Sequence, residues 1–435
     1  MSGTTRHAAR DWSQPVLAGV VTALVGYVGS FAVVLTGLRA VGADTARAAS
    51  GLLVLSLGMG ALTLWFSVRT RMPVIIAWST PGAALLASTG RVPGGYAAAL
   101  GAFVVAGALI VITGAVPQLS RWVSAVPPQI AAALLAGVLL PLCAAPVNAM
   151  AHIPWQAAPV VVTWAVFSRL LPRWAVPAAL AAAAVVVAVV GPSGGFRAPG
   201  LLPPLTFDLP RPTLGALVGL ALPLYVITMA SQNIPGVAVL ATYGYRPPVR
   251  RILTVTGAAG LVVAPSGGIA LNLSSITAAM AAGPDAHPDP RRRWIAGVAS
   301  GCGYLVLGLC SGLAAALGAA ASPLLIETVA GLALLGALVS ALTAALAEER
   351  LRECATVTFL VTVSNVTVAG ISSPFWGLLA GFAFLALRHR RIPSATTSAL
   401  PRQRPADAPQ GTEETERTAQ AEQAEQAAAA PQTGR

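Results

Sequence analysis

The densest group of side chains able to hold a ligand is the run Thr228-Met229-Ala230-Ser231-Gln232-Asn233-Ile234-Pro235-Gly236. Gln232 and Asn233 stand side by side inside a long apolar stretch, and a buried amide without a partner costs roughly 2–7 kcal/mol. Two arrangements satisfy such a pair: contacts to a bound polar molecule, or hydrogen bonds to a neighbouring helix. Two further runs interrupt apolar segments. In Ala77-Trp78-Ser79-Thr80-Pro81-Gly82-Ala83 a β-prone lead-in from Val74 to Trp78 meets Thr80, placed as an N-cap, with Pro81 at the first helical position. In Pro265-Ser266-Gly267-Gly268-Ile269-Ala270-Leu271-Asn272-Leu273-Ser274-Ser275 the paired glycines end one segment, and Asn272 or Ser274 can cap the half-helix that follows. A helix that starts halfway across a bilayer presents free N–H groups and a partial positive charge, which suit an anion. Two such starts facing each other suit a carboxylate. The competing reading of either break is a kink satisfied by nearby Ser and Thr; recurrence at corresponding places in the chain favours the half-helix.

None of these three runs contains Asp, Glu, His or Arg. A cationic substrate would want a carboxylate there, whereas a neutral or anionic one does not. Glu327, one turn into an apolar segment, is the single acid placed to carry a proton, with the membrane interface as its competing location. Tyr27 stands in the segment matching that of Gln232 and is read either as a cavity-lining phenol or as packing. Cys143, Cys302, Cys310 and Cys354 form no CxxC and no Cys/His cluster, so no metal, disulfide framework or cofactor is indicated beyond a coupling proton. His7, His152, His287 and His389 fall at segment ends or in loops, which leaves a membrane-embedded enzyme without a nucleophile–base pair.

The elements that must position these residues are membrane spans. The chain has 435 residues, 56% hydrophobic and only 10% charged, where a soluble domain carries about 25% charged residues. Its apolar runs are apolar all round, which excludes an alternating β-barrel. The spacing predicts fourteen segments: Pro15–Leu38, Ser50–Val68, Val74–Ser88, Tyr96–Val116, Gln129–Cys143, Ala157–Leu170, Ala175–Val190, Thr213–Leu240, Ile252–Ala264, Gly268–Ala282, Trp294–Leu317, Leu324–Leu346, Cys354–Val368 and Pro374–Leu387. The net charge of +12 is carried entirely by arginines, clustered in short inter-span loops rather than in a patch for nucleic acid. With both termini on one side, only Arg39, Arg47, Arg91, Arg197 and Arg211 lie in outer loops, against eighteen inside, among them Arg6, Arg10, Arg121, Arg388, Arg390 and Arg391. That bias predicts cytoplasmic N- and C-termini.

The first and eighth segments resemble each other across about 200 residues, Leu17-Ala18-Gly19 to Gly26-Tyr27-Val28-Gly29-Ser30 against Leu214-Gly215-Ala216 to Leu224-Tyr225-Val226-Ile227-Thr228. Both third segments are short and interrupted. Seven being odd, the second copy must be inverted, the arrangement of secondary transporters. The expected organisation is a cytoplasmic N-terminus over 1–14, a first repeat over 15–190, an extracytoplasmic linker over 191–212, a second repeat over 213–391 and a disordered cytoplasmic tail over 392–435.

At these motifs the sequence resembles a known family, the benzoate:proton symporters of the BenE type. The resemblance rests on Arg71-Met72-Pro73 with Ala77 to Leu86, on Thr228 to Gly236, on Gly283-Pro284-Asp285-Ala286-His287-Pro288-Asp289, and on Phe375-Trp376-Gly377-Leu378-Leu379-Ala380-Gly381. It implies an all-α polytopic fold like that of the uracil permeases. There, two inverted sevens form a core domain, spans one to four and eight to eleven, that moves against a gate domain, often in a homodimer. It also implies a bacterial inner-membrane location and a small aromatic carboxylate imported with a proton, bound between the half-helices of spans three and ten beside span eight. The expected site comprises Tyr27, Ser79, Thr80, Pro81, Gly82, Ser231, Gln232, Asn233, Asn272, Leu273 and Ser274, with Thr80, Asn272 and Ser274 as caps and the substrate ring near Tyr27 or Trp78. Nucleobase permeases of the wider fold carry an acid in span eight near where this chain has Ser231-Gln232. Its loss fits a carboxylate substrate and leaves a neutral heterocycle as the alternative.

Overall fold

Each predicted apolar segment becomes a helix or a strand–helix unit in the computed structural model, which describes residues 3–116, 118, 127–191 and 203–390, with side chains between 12 and 387. In chain order the helices are α1 (Gly3–Val28), α2 (Phe31–Ala40) and α3 (Thr45–Thr70), then strand β1 (Ile76–Trp78) leading into α4 (Thr80–Thr89). There follow α5 (Gly95–Ala115), α6 (Pro128–His152), α7 (Pro154–Leu170), α8 (Ala175–Val190), α9 (Leu214–Thr242) and α10 (Val249–Val263). Strand β2 (Leu271–Leu273) leads into α11 (Ile276–Ala282), and α12 (Trp294–Leu309), α13 (Ser311–Ala320), α14 (Pro323–Leu346), α15 (Arg352–Val363) and α16 (Ser373–Arg390) complete the bundle. Arg121, Arg197, Arg391, residues 192–202 of the linker and the 392–435 tail lie outside the described residues, as do the side chains of Arg6, Arg10, Arg388 and Arg390.

Among the described residues, seven helical stretches can cross a membrane by length and composition, and an eighth is made by Pro290–Leu309 with Ser311–Ala320, bent by 53°. The other segments are shorter or interrupted and fall below that criterion. The fifth segment is longer than predicted. It runs to His152 with Pro141 and Pro146 inside the helix, where the expectation stopped at Cys143. The first segment is broken at Gly29–Ser30, between α1 and α2.

Packing repeats when segment n is exchanged for segment n+7. The second segment, α3, packs on the eleventh, α12, and the ninth, α10, packs on the fourth, α5. These contacts are close because glycine lets backbones meet. A Cβ on Gly257 of α10 would lie 2.8 Å from Gly107 O of α5, and one on Gly60 of α3 would lie 2.9 Å from Gly301 O of α12. Small residues at crossings are how helices associate where lipid removes the hydrophobic drive.

One buried cation fixes the chain after the second strand–helix unit. Arg293 is 6% exposed. Its guanidinium donates to Ala282 O at 2.7 Å, His287 O at 2.7 Å and Pro288 O at 3.2 Å. Ala282 is the last residue of α11, so the charge meets a helix C-terminus. Arg293→Met strips three buried carbonyls of their donor and is expected to destabilise the protein by about 2–4 kcal/mol, read as a lowered thermal midpoint in detergent.

Candidate functional site

The two interrupted segments meet as an antiparallel ribbon at the centre of the bundle. Ile76 pairs with Leu273, Ala77 with Asn272 and Trp78 with Leu271. The ladder extends at both ends, Ser79 N donating to Ala270 O and Ser274 N to Ile75 O, each at 2.9 Å. A two-stranded ribbon leaves both outer edges unpaired, and in a lipid-embedded protein these groups need partners. On the β1 edge the Thr63 hydroxyl receives Ile76 N–H at 2.9 Å and faces Ile76 O at 3.3 Å. On the β2 edge Asn233 Oδ1 accepts from Leu273 N–H at 3.0 Å. Asn233 thus holds the backbone of the second break.

Strand side chains alternate between faces. Ala77 and Ser79 of the first unit, with Asn272 and Ser274 of the second, therefore share one face, and Ile76, Trp78, Leu271 and Leu273 take the other. The shared face is polar and lies between the two helix starts. Ser79 is opposite Ala270 and Ser274 opposite Ile75, so the starts are offset by four residues of ribbon, about 13 Å. Ser79, Asn272 and Ser274 are buried, while Ala77, Thr80, Ser231 and Ser275 keep accessible surface.

The caps differ from those expected. Ser79, not Thr80, is the N-cap of α4: its Oγ accepts from Gly82 N–H at 3.1 Å, with Thr80 and Pro81 inside the first turn. The Thr-Pro pair suggested Thr80, but proline is as well suited to the second helical position because its missing N–H is unpaired there too. Asn272 caps nothing. It sits mid-strand opposite Ala77, and its Nδ2 donates to Leu273 O at 3.1 Å. Ser274 stands one residue before the N-cap of α11, which is Ser275, and its Oγ accepts from Thr277 N at 3.3 Å and from Thr277 Oγ1 at 2.6 Å. Of the N–H groups at the two starts, Pro81 has none, Gly82 is taken by Ser79 and Thr277 by Ser274. Thr80, Ser275 and Ile276 remain as backbone donors.

The long eighth segment supplies the third side. It carries two π-helical turns, Leu217–Ala221 and Met229–Asn233, each ending two residues before a proline, Pro223 and Pro235. A proline removes an N–H and crowds the carbonyl four residues back, and a widened turn accommodates both; such turns recur at functional sites. The carbonyl facing Pro223, Gly219 O, is taken up by Ser372 Oγ at 2.7 Å. The second turn brings Thr228, Ser231, Gln232 and Asn233 to the ribbon. Thr228 Oγ1 pairs with Ser79 Oγ at 2.8 Å, and Gln232 Oε1 accepts from Ser275 Oγ at 3.4 Å. Ser231 turns back on its own helix, its Oγ donating to Ile227 O. Thr63, Thr228, Ser275 and Thr277 were not on the expected site. Thr228 at least opened the polar run that pointed there, whereas Thr63 is a lone hydroxyl in an apolar span with no signal of its own.

Tyr27 lies against the opposite face of the ribbon. Its ring is 5.3 Å from that of Trp78, whose Nε1 donates to Ser30 Oγ at 2.9 Å. Glu327 is half-buried on α14, which packs against α6, α2, α7, α8 and α15. An apolar cleft of about 360 Å³ between α8 and α13, lined by residues such as Ala184, Val187, Leu313 and Leu317, is separate from the ribbon.

Ser79 joins more parts of this site than any other side chain. Ser79→Ala removes a cap, worth about 0.5–2 kcal/mol, and leaves the buried Thr228 hydroxyl unpaired, worth about 1–3 kcal/mol. A drop in thermal midpoint and in uptake is expected, with Ser79→Thr retaining most of both.

The ribbon joins two interrupted segments inside a polytopic helical bundle, and solved structures share this fold. The transmembrane domain of the cyanobacterial bicarbonate transporter BicA superposes with a TM-score of 0.57 at 14% identity, covering 85% of this chain and 97% of its own. The murine anion transporter Slc26a9 in its inward-facing state gives 0.58 at 12% identity, covering 87% and 68%. At such identities the likeness is one of fold. Sequence gives the family: the model of the benzoate membrane transport protein, BenE, matches residues 11–387. The chain is 38% identical over 373 residues to the inner membrane protein YdcO of Escherichia coli (strain K12), covering 84% of this chain and 93% of that protein. It is 31% identical over 382 residues to the benzoate membrane transport protein of Acinetobacter baylyi, covering 86% and 94%. The chain belongs to the BenE family of membrane transport proteins, and it is a transporter rather than an enzyme.

Proposed function

We propose that the protein is a secondary active transporter of the bacterial inner membrane that imports benzoate or a related aromatic carboxylate with a proton. The observation that carries this reading is the polar ribbon face. Ser79, Asn272 and Ser274 lie between two helix starts that offer the N–H groups of Thr80, Ser275 and Ile276, and the three runs that form the face contain no acidic side chain to repel a carboxylate. Thr80, Pro81, Gly82 and Leu273 form the wall, with Gln232, Asn233 and Ser231 beside it. The 31% identical Acinetobacter baylyi relative, a benzoate membrane transport protein, supports the substrate class.

In this reading all fourteen segments are spans, in two inverted sevens. The antiparallel ribbon and the exchanged pairs α3–α12 and α10–α5 support that arrangement. The core of segments one to four and eight to eleven carries the site and slides past a gate of five to seven and twelve to fourteen, in elevator fashion. Both termini are cytoplasmic, as the arginine bias requires, and two copies pair through the gate.

The test is uptake of labelled benzoate into proteoliposomes under an imposed inward proton gradient. Accumulation above equilibrium, abolished by a protonophore and competed by benzoate analogues but not by uracil or xanthine, is the expected result. Competition by the heterocycles alone would assign the neutral-substrate alternative, and uptake indifferent to the gradient would make the protein a passive channel.

A further inference from the structure

Asn272 is buried at 0% exposure, and its Oδ1 is a buried acceptor with no hydrogen-bond partner. The amide orientation is fixed by its neighbour. Leu273 O can only accept, so the amide nitrogen faces it at 3.1 Å and the oxygen is the atom left over. Strand alternation puts Asn272 on the same face as Ser79 and Ser274, opposite the partly accessible Ala77. A carboxylate has nothing to offer that oxygen, because an ionised carboxyl only accepts.

The surroundings disfavour an anion further. The elements packed on β2 are α10, β1, α3 and the second π turn of α9. Their titratable groups are Arg250 and Arg251 in the first turn of α10 and Arg47 and Arg69 in the end turns of α3; β1 and the π turn have none. Three of these cations are engaged elsewhere: Arg47 with Asp208, Arg250 with Gly114 O and Ala115 O, and Arg251 over the Trp65 ring. A buried carboxylate without a paired cation carries a heavy desolvation cost. The first turn of α4 offers it only the Thr80 N–H.

Resting on the function proposed above, we infer that the substrate is bound as the neutral carboxylic acid. Its O–H donates to Asn272 Oδ1, and its carbonyl accepts from backbone N–H at a helix start. The coupling proton then rides on the substrate. A benzoate anion and one proton combine on the loading side, cross as one neutral molecule, and separate again by dissociation into the more alkaline cytoplasm. No side chain of the protein needs to change its protonation, and one proton accompanies each substrate.

The test is calorimetric binding to the purified full-length protein in detergent from pH 5.5 to 8, in buffers of different ionisation enthalpy, with three probes. Benzoate is expected to take up one proton on binding and to weaken about tenfold per pH unit, all of this range lying above a carboxyl pKa of roughly 4. Benzamide, neutral and carrying an N–H donor in place of the O–H, is expected to compete with a pH-independent affinity. Benzenesulfonate, an anion at every pH used, is expected not to compete. Asn272→Leu is expected to weaken benzoate and benzamide together by about tenfold or more; if that variant aggregates, the wild-type series still decides. Benzoate binding without proton uptake, or displaced by benzenesulfonate, overturns the inference and leaves the transport reading standing. Proton uptake that disappears in Glu327→Gln overturns it in the same way by placing the proton on the protein. No benzoate binding at any pH removes the function itself, and the inference with it.

Discussion

Gly236→Val is expected to abolish benzoate uptake in a protein that still inserts into the membrane. Gly236 is where the eighth segment crosses the second break. A Cβ there would lie 2.8 Å from Ser274 O and 2.9 Å from Leu273 Cγ. The carbonyl cannot withdraw freely, because its own residue is tied to the ribbon through the Ser274 N–H to Ile75 O. Valine adds two methyls to that contact, and overpacking of this kind costs about 1–3 kcal/mol or more. The strain falls on the helix start rather than on the bundle. Gly236→Ala is expected to retain part of the uptake. Fluorescence-detected size exclusion reports whether each variant is folded, and proteoliposome uptake reports whether it works. Full activity of the valine variant would mean that this crossing is not part of the binding geometry.

The second large effect is expected at Asn233. Asn233→Leu leaves Leu273 N–H buried without its acceptor, a cost of about 1–3 kcal/mol, and frees the outer edge of β2. Uptake should fall about tenfold to a hundredfold. Gln232→Ala should cost much less, since its one hydrogen bond, from Ser275 Oγ, is long at 3.4 Å. From sequence the two amides look alike, as adjacent polar residues in an apolar span. The structure separates them: Asn233 holds backbone, and Gln232 meets only the Ser275 hydroxyl. Equal losses in the two variants would contradict that division.

The same contrast marks how far the sequence could be read. The β-prone Val74–Trp78 and the Gly267-Gly268 pair announced two interrupted segments, and both are strand–helix units, with Gly267 in the left-handed region at φ +91°. Local chemistry was enough there, because a break in helix propensity is written in consecutive residues. That the two breaks pair with each other was not legible, since residues 76–78 and 271–273 are joined by register rather than by any local pattern. Thr80 was preferred over Ser79 as a cap because both residues precede a proline-led turn, and only the backbone decides which one is extended. The π turn was missed although Pro223 and Pro235 are visible signals. A proline in a span is equally compatible with a kink, and Pro141 and Pro146 sit inside α6 without one of these turns. Thr63 could not have been found, because its partner is a strand edge that exists only after folding.

The central claim, that an aromatic acid is held on the ribbon face between the two helix starts, is most directly tested by an experimental structure with benzoate bound. The predicted result is a carboxyl group over Ala77, within hydrogen-bonding distance of Asn272 Oδ1 and of a backbone N–H of Thr80, Ser275 or Ile276. Benzoate resting elsewhere, as in the cleft between α8 and α13, with the ribbon face unoccupied and Asn272 still unpartnered, would contradict the account.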